Sequence, residues 1–291
     1  MRPWPQFDEP ELRRRLCLSQ EEFRGFVGQF AGSVGRRGVS EEIVERAFGY
    51  PWARPASSFL LRGDDAQALD ELPAAEQRRL VARALADGDR HALLAFGSNG
   101  SPEALALKFN DLPDEDRELL VLAGDLHDFD VGAAPMPTFY GSLPATLFPS
   151  GGARVRASLL LVSTVQLTRL TWSEISYFLG RLSGVRFVPD AAGAPAIDQM
   201  LGFASRWGAL CIDDAPVAMA AIPATSRSAS SLTQEELLGY VGARVLGAGA
   251  RELVTAIMED FASTALAIHG ALGESVQHFA SERWTGYVSP D

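Results

Sequence analysis

Two places in the chain combine residue types that can do acid/base chemistry: the segment Phe96-Gly97-Ser98-Asn99-Gly100, and a lone carboxylate, Glu174. Glycines let a backbone take positive φ and come close to a ligand, and a following helix directs unpaired N–H groups and the positive end of its dipole back at such a loop. That arrangement binds a carboxylate, or an oxyanion as it develops. A glutamate placed against it can take a proton from a nucleophile and return one to a leaving group. Each feature also has a plainer reading. Most glycine turns between a strand and a helix only reverse the chain. Thr171-Trp172-Ser173-Glu174 has capping-box spacing, in which the glutamate does no more than close a first helical turn.

Positioning these residues calls for a strand, a tight loop and a helix. Residues 92–96 are a short apolar run, Ser101 suits an N-cap and Pro102 the first helical position. Residues 118–131, 141–148, 154–162 and 184–188 read as strands of a mostly antiparallel sheet or barrel, with a turn at Gly151-Gly152. Residues 210–212 and 217–222 suggest a hairpin around Asp213-Asp214, and Thr171 opens a helical turn. Ser19 and Glu22 form a capping-box pattern ahead of Phe23, Phe26, Val27 and Phe30, and Ser40 can cap a helix that Gly49 and Pro51 stop. Thr233 and Glu236 repeat the box before a long alanine-rich amphipathic pattern over 251–272. The expected fold is α+β, a small mixed or antiparallel barrel with flanking helices. A helical N-terminal region, 1–88, packs on the core, and 89–291 carries the barrel and a helical C-terminal extension.

The formal charge of −11 gives the chain a field that repels phosphates, so nucleic acid and membrane surfaces are excluded as partners and a small molecule is expected. Lys108 is the only lysine among many arginines, which reads as codon bias. Two cysteines and four scattered histidines offer no zinc-type spacing, so neither metal nor cofactor is expected. No leader opens the chain and no apolar run approaches the roughly 20 residues of a membrane span, so a soluble, cytoplasmic, reduced protein is expected. Asp125, Asp128 and Asp130 are assigned to one solvated strand face. Arg206 is a surface salt-bridge residue, with a substrate carboxylate as the lesser alternative. Tyr140 and Tyr177 either line the pocket or belong to the core.

The segment Phe96-Gly97-Ser98-Asn99 resembles the Tyr-Gly-Ser-Asn signature of γ-glutamylcyclotransferase-like proteins. Further features follow in the family's order: a strand around 126–131, then Gly141-Ser142-Leu143-Pro144-Ala145-Thr146, the Gly151-Gly152 turn, the strand at 155–162, and Glu174 where the family carries its acid/base glutamate. The resemblance covers about residues 90–190 and implies a barrel enzyme of lyase or acyltransferase type, in which Glu174 is catalytic and Phe96, Gly97, Ser98, Asn99, Gly100, Tyr140 and Tyr177 bind substrate. Its reaction is intramolecular: the α-amine of a γ-glutamyl group attacks its own γ-carbonyl and releases 5-oxoproline and a free amine. This chain departs from the signature at Phe96, which has no hydroxyl. Two further functions stay open, a repurposed acid/base enzyme catalysing another ring closure or isomerisation, and a non-catalytic binding protein.

Overall fold

The computed structural model describes residues 4–33 and 35–288, with the side chains of 27–33 excepted. The expected roles of Val27 and Phe30 lie outside the described residues. After α1 (Pro10–Leu16), Ser19 and Glu22 exchange reciprocal capping bonds, Ser19 N–H to Oε2 at 2.8 Å and Glu22 N–H to Ser19 Oγ at 3.2 Å, and start α2 (Gln20–Ser33). Ser40 Oγ accepts from Ile43 N–H at 3.3 Å and starts α3 (Glu41–Phe48). The N-terminal region is not wholly helical. Phe59, Leu60 and Leu61 form an apolar strand, β1 (Phe59–Arg62), which turns through Gly63 at φ +59° into β2 (Asp65–Ala68) before α4 (Ala74–Ala86).

Five strands then close a mixed barrel: β3 (Arg90–Ala95), β4 (Glu118–Ala133), β5 (Ala145–Ser163), β6 (Tyr177–Pro189) and β7 (Ile197–Ser205). The circuit runs β3, β5, β4, β6, β7 and back to β3, antiparallel at each step except β3 beside β7, where Leu93 faces Leu201 in parallel. The fold is therefore α+β, with helices flanking the barrel. Two of them, α5 (Pro102–Phe109) after β3 and α6 (Thr164–Ser173) after β5, pack side by side. Alternation sends Leu93, Val121 and Leu160 into one cluster with Phe109, Leu167 and Leu170 of these helices. Leu94, Leu122 and Leu159 enter another. With both faces covered, the strands read as near-continuous apolar runs.

Beyond the barrel come β8 (Ala209–Ile212), the two-residue strands β9 (Ala215–Pro216), β10 (Ala218–Met219), β11 (Ala224–Thr225) and β12 (Ser231–Leu232), and helices α7 (Gln234–Leu246), α8 (Ala250–Glu259) and α9 (Phe261–Leu272). β13 (Val276–Gln277) pairs with β8, and β14 (Trp284–Gly286) with β6. Asp213 and Asp214 turn a hairpin with φ of 51° and 63°, the positive values a type I′ turn requires, but its second arm is β9 and not the expected 217–222, of which β10 pairs with β4 and β12 instead.

Four expectations are corrected. Gly151 and Gly152 do not end a strand: β5 runs through them, and Gly152 N–H bonds Asp128 Oδ1 at 3.1 Å across a bulge between His127 and Phe129. The 251–272 pattern is two helices, because Asp260 leaves the helical region at φ −145° and caps the second through Ser263 N–H. The three aspartates do not share a solvated face. The bulge breaks the alternation, and Asp130 is fully buried against Arg227, with bonds of 2.7 and 2.8 Å. Arg206 is likewise interior at 1% exposure, stacked between Phe23 and Phe178 and donating to the Leu18 carbonyl at 2.9 Å, so burial draws its guanidinium down to about 10. Among the described residues no helix is long and apolar enough to cross a membrane.

Candidate active site

At the end of β3 the chain makes a single tight turn, residues 98–100, in which Gly100 N–H and Ser101 N–H close on the carbonyls of Gly97 and Ser98 at 3.0 and 2.9 Å. Those bonds occupy two of the amides expected to face a ligand. Of the other loop amides, Ser98 N–H is taken up by the Tyr50 hydroxyl, and those of Gly97 and Asn99 make no turn bond. Neither glycine is needed for positive φ: Gly97 lies at φ −107°, and Gly100 is also outside the left-handed region. Both are needed for space. A Cβ on Gly97 would meet Tyr50 Oη at 2.8 Å, and one on Gly100 would meet Arg54 Cδ at 3.1 Å. Arg54 donates to the Phe96 carbonyl at 2.9 Å. The segment after α3 thus runs directly against the loop. Ser101 occupies the N-cap position as expected, with Pro102 following, but its side chain makes no cap bond.

Glu174 is not a helix-starting residue. Ser163 and Gln166 form the capping box of α6, which starts at Thr164, and Thr171 sits in its last turn donating Oγ to the Leu167 carbonyl at 2.7 Å. Glu174 is the C-cap, its N–H bonded to the carbonyls of Leu170 and Thr171. The capping reading of its carboxylate is therefore overturned. The side chain turns instead to the loop, where Oε1 accepts from Asn99 Nδ2 at 3.0 Å and from Lys108 Nζ at 2.9 Å. Lys108 also donates to Asn99 Oδ1 at 2.6 Å, closing a three-membered network. The side chains of Lys108 and Glu174 are 21% and 14% exposed, half-sheltered rather than surface-screened. Helix packing delivers Lys108, since Arg169 of α6 bonds the Lys108 carbonyl at 2.9 Å. Codon bias is therefore not the whole account of this lysine.

No protein-family model matches the chain, and no curated protein matches its sequence.

Three buried or half-buried phenols surround the carboxylate. Tyr177 Oη donates to the Ala145 carbonyl at 2.7 Å, while Tyr50 Oη accepts from Ala145 N–H at 3.0 Å, so one backbone unit of the Ala-Thr stretch is held from both sides. Burial pushes the Tyr50 phenol up to about 12, and burial also raises Tyr140 and Tyr177 well above the ordinary range, with the Glu174 charge adding in each case. All three are neutral donors at physiological pH. Of the expected site residues, the structure gathers Phe96, Gly97, Ser98, Asn99, Glu174 and Tyr177 around a cavity of about 30 Å³, to which Tyr50 and Ala145 also contribute. Tyr140 instead lines a larger chamber of about 380 Å³ that shares Tyr50, Ser98, Glu174 and Tyr177 with the small cavity. Gly100 lines neither: it packs under the loop. Sequence reasoning missed Tyr50, Arg54 and Lys108. Only the singular lysine carried a signal, its type being unique in the chain.

Proposed function

We propose that the chain is a γ-glutamylcyclotransferase-type enzyme that releases 5-oxoproline and a free amine from a γ-glutamyl amide. The observation that supports this reading is the approach of Glu174 Oε1 to within 3.0 Å of Asn99 Nδ2, across 75 positions of sequence, at the rim of a cavity lined by the 96–99 loop. With Oε1 held by Asn99 and Lys108, Oε2 makes no hydrogen bond among the described residues and is the proton-carrying atom. It takes a proton from the substrate α-amine as that nitrogen attacks the γ-carbonyl carbon. As the tetrahedral centre collapses, the carbon–nitrogen bond of the amide breaks and the same oxygen returns the proton to the departing amine. The products together contain the atoms of the substrate, with no water consumed. Ring closure within one bound molecule needs a near-attack geometry more than it needs strong reagents. The Tyr50 phenol, held as acceptor by Ala145 N–H and keeping its own proton free, is the donor for the developing oxyanion where Phe96 has no hydroxyl.

Release of 5-oxoproline from a panel of γ-glutamyl amides tests the reading. Glu174→Gln should lower turnover by roughly 10²–10⁴ while leaving the melting temperature near that of the parent, because glutamine still accepts from Asn99 and Lys108. Parental turnover in a well-folded Glu174→Gln protein would remove Glu174 from the chemistry. A second reading keeps the site and changes the reaction to another ring closure or isomerisation, and the hydroxyl missing at Phe96 favours it. Substrate consumption without 5-oxoproline selects that alternative.

A further inference from the structure

The chamber of about 380 Å³ that opens onto Glu174 is much larger than γ-glutamyl chemistry needs, and it lies within the size range of sites that enclose a whole small molecule. Its walls are aromatic and come from outside the barrel. Trp52 follows α3 and packs on Tyr140 at a ring separation of 5.1 Å, while Phe139 packs on Phe261 of α9 at 4.7 Å. Leu107 lies in the same wall although 62% exposed, an apolar residue held where a ligand would cover it. The charged residues in the lining are Arg46, Lys108 and Glu174. Arg46 is stacked over Trp52 at 4.5 Å and paired with Glu103 at 3.1 Å, and the other two are paired with each other. A charged amine half would be desolvated among these rings, and the one oxygen left unbonded, Glu174 Oε2, is the atom the reaction itself uses. A neutral flat group would gain ring contacts on two sides.

We propose that this chamber is the subsite for the amine half of the substrate, and that this half is a neutral aromatic group of naphthalene size or larger. The inference rests on the γ-glutamyl reading of the site. The cavity beside the 96–99 loop, about the volume of one water, then receives only the γ-carbonyl oxygen, and the rest of the glutamyl half and the scissile nitrogen sit at the Glu174 end of the chamber.

The test uses the full chain and four probes. γ-Glutamyl-2-naphthylamide should be cleaved with a kcat/KM about 100-fold above γ-glutamylalanine, mainly through KM, since two rings withdraw on the order of 100 Å² of apolar surface from water. γ-Glutamylputrescine, whose amine half is cationic, should be the poorest of the three. Acetyl-2-naphthylamine, which has no glutamyl group to cyclise, should bind saturably by tryptophan quenching. Phe139→Ser, at a half-buried wall position, should weaken that binding about tenfold and lower the naphthylamide-to-alanine ratio similarly. Cleavage of γ-glutamylalanine or γ-glutamylputrescine as efficiently as the naphthylamide overturns the chamber assignment and leaves cyclisation standing. Saturable binding sensitive to Phe139→Ser, with no 5-oxoproline from any probe, supports the chamber and overturns the cyclisation reading. Neither binding nor turnover overturns both.

Discussion

A Cβ placed on Gly97 would stand 2.8 Å from Tyr50 Oη and 3.2 Å from Ala145 Cβ, so Gly97→Ala forces the phenol out of its bond to Ala145 N–H. Overpacking of this kind costs about 1–3 kcal/mol and should also take at least tenfold from turnover. Removing the hydroxyl in a Tyr50→Phe background relieves the closest contact, because the next Tyr50 atom lies 3.8 Å away. The double variant should therefore be more stable than Gly97→Ala alone, a coupling that chemical denaturation of the four proteins in the cycle measures. Additive effects would mean that the glycine serves a ligand instead of the phenol. The same hydroxyl predicts an alkaline limit. Tyr50 keeps its proton to about pH 12 in the folded chain, while an unfolded tyrosine releases it near 10. Over that interval the native state binds more protons, so stability is intact below pH about 10 and falls as pH rises toward about 12. Melting temperature against pH should show that fall, and Tyr50→Phe should make it shallower. Tyr140 and Tyr177 shift in the same direction and keep part of it.

At the scale of elements, the loop between β11 and β12 is tied to the bulged strand β4 by one ion pair. Arg227 makes two bonds to Asp130, at 2.7 and 2.8 Å, and a third to the Ile222 carbonyl at 2.8 Å. With Asp130 fully buried, Arg227→Met leaves a carboxylate with no counter-charge in the interior, which costs about 3–5 kcal/mol. Asp130→Asn together with Arg227→Met should recover much of that loss. Urea midpoints of the single and double variants decide the matter, and a single variant as stable as the parent would show that water reaches Asp130. The helices α5 and α6 play a different part. Their side-by-side packing sets the 2.9 Å contact between Lys108 and Glu174, so the electrostatics of the site follow from a helix–helix interface.

For the whole molecule, the segments flanking the barrel are walls of the site. Phe23, Val44, Ala47 and Tyr50 are buried in the same cluster as Leu94, Leu122 and Leu159 of the barrel, and Phe7 and Leu12 in the cluster of α5 and α6. Arg206 adds polar ties to the α1–α2 connection. Expression of residues 89–291 alone should give a protein without a cooperative melt, since the fragment exposes both apolar faces and loses Tyr50, Trp52 and Arg54 from the loop and chamber. Circular dichroism melts and size-exclusion profiles test this. A monodisperse, cooperatively melting and active fragment would show that the N-terminal region is dispensable.

Local chemistry was legible in the sequence wherever neighbours in the chain decide it. The capping boxes at Ser19 and Thr233, the Ser40 cap, Pro102 at a helix start and the Asp213-Asp214 turn form through bonds spanning two to four residues, and side-chain type is enough to specify them. The apolar runs announced strands, and the position of the 96–100 loop between a strand and a helix was correct. Where two local patterns competed, packing chose. Thr171 to Glu174 matched a capping box, yet α6 had already started at Ser163 because Gln166 could also reach the Asp116 and Glu118 carbonyls at 2.8 and 2.9 Å. Likewise the 251–272 pattern carried one amphipathic stripe, and a cap at Asp260 divided it. What only the tertiary structure decided is the set of contacts made across long separations. Lys108 beside Glu174, Tyr50 against Gly97 and Arg206 between two rings join residues 66, 47 and at least 28 positions apart. No periodicity encodes such meetings, because they arise when a closed barrel and the helices around it compete for the same buried volume.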